Sequence, residues 1–198
     1  MTINEVNWGG TLESDTGEWI ELFNSGSTVD LSDWVISVDN ATTADWTFTL
    51  SGIAISDYLV LARGTDSTGG KADFIYPGAD AFDDNGAIIT LIDSYGQTQD
   101  TVSFSGGWPA GAQGISMERV TVGGSSWAAA LVTALYGTLG IDRGTPRALN
   151  SVSSASGLVA GAATGNLKLQ DYADWIDFEK GNYFKLFEWD LYKRPKST

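Results

Sequence analysis

The chain has 198 residues, enough for one domain with a self-sufficient core, and it contains neither cysteine nor histidine. Disulfides, thiolate metal sites, thiol nucleophiles and the commonest general base are thereby excluded. A formal net charge of −14 opposes a nucleic-acid partner, because such binding depends on Lys and Arg neutralising phosphates.

In chain order, short runs rich in aromatic and β-branched residues alternate with turn signals, which predicts an antiparallel β-sandwich rather than an α/β fold. Strands are expected near 2–8, 18–24, 34–38, 46–50, 58–63, 87–93, 98–104 and 115–121. Met1-Thr2-Ile3-Asn4 leads into the first without a basic-then-apolar leader, so the chain is expected to be either a trimmed mature region or not exported by that route. In the second, Ile20 and Leu22 fall on one face and Trp19, Glu21 and Phe23 on the other. Trp46, Phe48 and Leu50 share a face in the fourth. Asp84-Asn85-Gly86 and Ser94-Tyr95-Gly96 are tight-turn signals around an expected central strand. Residues 127–141 carry no charge and place Trp127, Leu131, Leu135 and Leu139 near helical spacing. A buried irregular connection or short helix packed on the sandwich is expected there, with an exposed subunit contact as the alternative. No run reaches the ~20 apolar residues of a membrane span.

Charge and aromatic content divide the chain. Residues 1–165 hold 19 acidic residues but only five basic ones, Arg63, Lys71, Arg119, Arg143 and Arg147, whereas residues 166–198 hold six of each sign. That last stretch also contains eight of the 23 aromatics. Between them, residues 151–165 are almost wholly Ser, Ala, Gly, Val and Thr and read as a flexible linker. Tyr172, Trp175, Ile176 and Glu179 lie three or four apart, as in an amphipathic helix closed by Gly181, and Phe187, Trp189 and Leu191 alternate as in a strand.

Several pieces stand in order along the chain: Ile3, Glu5 and Val6; Glu18-Trp19-Ile20-Glu21-Leu22-Phe23-Asn24; Asp30-Leu31-Ser32-Asp33-Trp34; Ser116-Met117-Glu118-Arg119; and Gly144-Thr145-Pro146-Arg147-Ala148-Leu149-Asn150. Taken together, this ordered set resembles the bacterial lamin-tail domain. Arg147 is a departure, since many members carry a second glycine there, and it bears on the local turn. The resemblance implies an all-β, immunoglobulin-like antiparallel β-sandwich over residues 1–150, followed by the 151–165 linker and a linked aromatic-rich segment at 166–198. It also implies a domain that is not itself catalytic.

Candidate chemistry is sparse. Glu5, Glu18 and Glu21 form either an acid/base or cation site or, the expectation adopted here, hydrogen-bonded structural carboxylates partnered by backbone or by Arg119. Asp80, Asp83, Asp84 and Asn85 offer hard oxygen ligands for Ca²⁺, but their spacing fails the helix-loop-helix pattern and a solvated hairpin turn is expected. Gly64 to Lys71 is one residue too long for a phosphate loop and lacks its following hydroxyl, and Asn40-Ala41-Thr42 is a lone glycosylation sequon. No catalytic residue, metal or cofactor is expected.

The expected function is a non-catalytic structural or assembly protein. An acidic domain is displayed on a larger structure, such as a cell-surface layer, a filament or a virus particle. It binds a protein partner or other copies of itself through residues 166–198, with Trp175, Phe178, Tyr183, Phe184, Phe187, Trp189, Leu191 and Tyr192 as contact residues. The location is expected to be extracellular, at the cell surface or in a virion, without membrane insertion. The alternative is an adhesion or glycan/polymer-binding module using Trp8, Trp108 and Trp127.

Overall fold

In the computed structural model, residues 1–153 are described except 66, 78, 79, 133 and 138. They belong to one compact unit, and residues 154–198 lie outside the described residues. The described chain forms β1 (Thr2–Asn7), β2 (Trp19–Phe23), β3 (Val29–Asp30), β4 (Val35–Asn40), β5 (Trp46–Thr49), β6 (Ala54–Ile55), β7 (Tyr58–Ala62) and β8 (Phe74–Ile75). It continues with β9 (Ala87–Ile92), β10 (Thr98–Ser103), β11 (Met117–Arg119), β12 (Trp127–Ala129), β13 (Leu135–Tyr136) and β14 (Asp142–Arg143).

A six-stranded sheet in the order β12-β11-β1-β2-β7-β8 faces a four-stranded sheet in the order β10-β9-β4-β5. All pairings are antiparallel except β7 with β8. Ile3, Val6, Ile20, Leu22, Leu59 and Leu61 of the large sheet meet Ile36, Val38, Trp46, Phe48, Ile89 and Leu91 of the small one in the main core. Full burial of each such side chain contributes about 1.5–3 kcal/mol. Ile3 and Val6 are three apart, so strict alternation cannot put both inside. A bulge between Ile3 and Glu5 in the β1–β2 register does so, and it turns Asn4 and Glu5 together onto the outer face.

The outer face of the large sheet is buried as well. Trp19, Val60, Ala62 and Tyr136 form a second apolar cluster on it. The Trp19 and Tyr136 rings meet edge to face at 5.5 Å, and the Tyr136 hydroxyl accepts from Trp19 Nε1 and Asn7 Nδ2, each at 2.9 Å. Beyond Tyr136, residues 144–153 continue the cover and end in a helical turn at 151–153, where Val152 is buried. Ser151 to Ser153, the first residues of the expected linker, thus make defined contacts. The rest of that linker lies outside the described residues.

The uncharged stretch 127–141 is neither helical nor a buried connection. Trp127–Ala129 is the edge strand β12, Leu135–Tyr136 is half of a two-stranded ribbon, and Leu131, Val132, Leu135, Leu139 and Ile141 are exposed. Gly137 and Gly140 adopt positive φ within it, breaking the helical course its apolar spacing suggested. Among the described residues no helix is long and apolar enough to cross a membrane.

Candidate functional site

Two places gather polar side chains in unusual surroundings. The first is a row of carboxyl groups under the outer cover. Glu5 is the register partner of both Glu118 and Glu21, so three glutamates lie side by side across β11, β1 and β2, and all three are fully buried. Their donors come mostly from the closing residues. Glu5 accepts from the Ser116 hydroxyl, from Thr145 N at 2.9 Å and from Thr145 Oγ1 at 2.9 Å. Glu118 faces Thr145 Oγ1 at 3.0 Å and accepts from Ser151 Oγ at 2.8 Å and Val152 N at 2.9 Å. Glu21 accepts from Asn4 Nδ2 at 2.8 Å and Arg147 N at 2.6 Å. Asn150 Nδ2 ties the end of the cover to Asn4 O at 3.1 Å and Arg119 O at 2.9 Å.

Burial is the main force on these groups, and neighbouring carboxyls add to it. Glu5 is pushed up to about 8 by desolvation and then by Glu118, while Glu21 is pushed up to about 9 by desolvation and then by Glu5. Gly144 is required here because a Cβ would lie 2.8 Å from Glu5 Oε1. Arg147 has φ 62, a left-handed turn that a glycine would adopt without strain.

The expected Arg119 partnership is absent from this row. Adjacent residues on a strand face opposite ways, so Glu118 points to the row and Arg119 away from it. Arg119 instead donates to Ile3 O at 2.7 Å and to Gly124 O, and pairs with Asp100 at 2.6 Å. Glu18 is separate from the row: it pairs with Arg63 at 3.4 Å, accepts from Phe82 N at 3.3 Å, and is raised to about 7 chiefly by burial.

The second place is an open groove beside Trp8. Stacked rings run from Phe74 through Phe48 and Tyr76 to Trp46, then by edge contacts through Phe82 to Trp108, which lies parallel to Trp8 at 5.5 Å. Both indole N–H groups are used internally, Trp8 Nε1 on Ala110 O at 2.9 Å and Trp108 Nε1 on Asp83 O at 2.8 Å. Half-buried Trp8 lines adjoining hollows of about 460 to 680 Å³, together with Thr42, Asp84, Asn85 and Gln113. Trp127 does not line these hollows: it joins the ring series through Phe104, which lies 5.7 Å from Trp108 and meets Trp127 edge-on, and the Arg119 guanidinium lies 4.9 Å from the Trp127 ring centroid.

The Asp80–Asn85 turn is partly buried and internally tied. Asp83 accepts from the Thr42 backbone and hydroxyl, from Thr43 N at 2.8 Å, and from Asn85 N and Nδ2 at 2.8 and 2.9 Å. These donors hold its carboxyl well below the usual range. The side-chain oxygens offered to calcium by the sequence are therefore engaged in loop closure at Asp83. Gly86 completes the turn at φ 111, where a Cβ would overlap Phe104 O at 1.9 Å. Asn40 Nδ2, the sequon amide, donates to Ala44 O at 2.8 Å and Ala81 O at 3.0 Å. Lys71 of the phosphate-loop near miss donates from Nζ to Pro146 O at 3.2 Å.

Two pleated sheets face to face, with an outer cover closed by the turn at Gly144-Thr145-Pro146, define an immunoglobulin-like β-sandwich. Residues 1–106 match the family model described as Lamin Tail Domain, and the chain belongs to that family. A comparison with curated proteins finds no match. The matched stretch ends before β11, yet Glu118, Thr145 and Asn150, which complete the carboxyl row and its cover, all follow it. The contact residues expected from sequence, Trp175, Phe178, Tyr183, Phe184, Phe187, Trp189, Leu191 and Tyr192, lie outside the described residues.

Proposed function

We propose that this protein is a non-catalytic interaction and assembly protein, in which the sandwich is a rigid acidic unit displayed on a larger structure and residues 166–198 form the attachment. The partner is a protein or further copies of the same chain, and the setting is a cell surface, filament or virus particle. The observation behind this reading is that both faces of the six-stranded sheet have apolar cover supplied by residues 1–153. The eight aromatics of residues 166–198 are a second concentration of apolar anchors in sequence, and aromatic side chains dominate contact energies at interfaces. Light scattering of the full chain beside a chain ending at Ser153 tests it. The full chain should assemble and the shorter one remain a folded monomer; equal assembly by both would refute attachment through residues 166–198.

A second reading, a glycan- or polymer-binding module, is favoured by the Trp8 groove. A ring held by parallel stacking, with Thr42, Asp84, Asn85 and Gln113 beside it, offers an apolar face and hydrogen-bonding groups to a sugar. Neutral oligosaccharides should then change tryptophan emission in the chain ending at Ser153, and Trp8→Ala should abolish the change. An unaltered response in that variant would place any sugar binding elsewhere.

A further inference from the structure

We propose that the Glu118–Glu5–Glu21 row is a proton-held clasp, which keeps residues 144–153 on the sheet while its carboxyl protons are present and lets them detach in alkaline solution. The first argument is a count of protons. Thr145 Oγ1 lies 2.9 Å from Glu5 Oε2 and 3.0 Å from Glu118 Oε1, and a hydroxyl has one proton to donate. Two hydrogen bonds at that oxygen therefore require that one of the two carboxyls donates its own proton to Thr145. The second argument is surroundings. Two ionised carboxylates bridged this closely and fully buried, with neither in an ion pair among the described residues, repel at low dielectric, so a shared proton is the stable arrangement.

The groups around the row agree with this. On the sheet, Arg119 is turned to Ile3 O, Gly124 O and Asp100. In the cover, Arg143 donates to Ala130 O, Lys71 to Pro146 O, and the Arg147 guanidinium pairs with Asp73 at 3.2 Å. The remaining titratable neighbours, Tyr58, Tyr136 and Asp142, are neutral or acidic. Desolvation, then Asp57 and Glu21, raise Tyr58, and desolvation, then Asp142 and Glu5, raise Tyr136 against the hydrogen bond from Trp19. Glu5 itself, pushed up to about 8, retains a proton at neutral pH.

Loss of the protons strikes the cover before the inner core. Thr145, Arg147, Ser151 and Val152 all reach the row, whereas Ile20, Leu22 and Leu61 belong to the opposite, apolar face. By chain continuity, detachment would lengthen the stretch that precedes residues 154–198.

Amide hydrogen exchange on the full chain, corrected for intrinsic rates, at pH 6 and pH ~9.5 tests the clasp. Protection at Thr145, Arg147 and Val152 should fall roughly ten-fold or more relative to Ile20 and Leu61, since each unit above a shifted pKa weakens a proton-dependent state ten-fold. Glu5→Gln, whose amide carries permanent hydrogens, should lessen that relative loss. Parallel loss in cover and sheet, or unchanged cover protection at the higher pH, overturns the proposal. If Glu5→Gln does not fold, the wild-type comparison alone decides.

Discussion

The two faces of the six-stranded sheet bury similar strands by different chemistry. Inside, Ile3, Val6, Ile20, Leu22 and Leu61 meet another sheet and depend on apolar area and packing alone. Outside, Asn4, Glu5, Glu21 and Glu118 are covered by a loop and a helical turn, and depend on every donor finding its oxygen. The inner face tolerates any pH that leaves the chain folded. The outer face is most stable while Glu5 and Glu21, raised by burial, keep their protons.

The sharpest way to separate the faces is a matched pair of inner and outer truncations. Leu22→Ala should cost about 3–5 kcal/mol, from lost transfer energy and a cavity, with a cost that stays constant between pH 5 and 9 in chemical denaturation. Glu21→Gln, on the neighbouring position of the same strand, should cost about 1–3 kcal/mol near neutrality, because its NH2 must face either Asn4 Nδ2 or Arg147 N, and that cost should shrink relative to wild type as pH rises.

The pH dependence of the wild type follows from the same difference. Glu5 and Glu21 are raised to about 8 and about 9. Groups raised in the folded state give stability that is fully present below their unfolded pKa, near 4.5, and lost as pH climbs toward the folded values. Unfolding free energy should therefore fall between pH 5 and 9 by an amount on the order of a few kcal/mol, measured by denaturant titration across that range. Glu18, raised to about 7, adds loss in the lower part of the window.

The boundary of the cover gives a smaller effect. Ser151 Oγ and Val152 N both donate to Glu118. A chain ending at Asn150 should be less stable than one ending at Ser153 by about 1–3 kcal/mol, because it leaves a buried carboxyl short of partners. Thermal melts of the two truncations side by side provide the comparison. Smallest is Arg147→Gly, which relieves a left-handed φ but gives up a half-exposed ion pair with Asp73 and adds chain entropy. The net change should stay within about 1 kcal/mol.

Much of the inner face was legible in the sequence, because β2, β5, β7 and β9 carry alternating or continuous apolar runs bounded by turn residues. The two-residue strands β3, β6, β8, β13 and β14 were not, since a pair of residues has no period to read. The outer face was half legible. Glu5 and Glu21 stood out, with backbone or Arg119 as their expected partners; backbone donors do reach them, from Thr145 and Arg147, but Arg119 does not, and its neighbour Glu118 is the residue that strand alternation directs to the same face. Thr145 and Asn150 were visible only as parts of a closing motif, because their role depends on contacts with Glu5 and Asn4, more than a hundred residues earlier. Trp127 to Ile141 misled for a physical reason: apolar spacing suggested a helix, but the glycines at 137 and 140 take left-handed turns.

Carbon-13 titration of the Glu5 and Glu21 side-chain carboxyls in the full chain tests the difference between the faces most directly. Signals that remain those of protonated acids through pH 6 and change near 8 and 9 are the predicted result. Both carboxyls ionising near the ordinary value of 4.5 would contradict it.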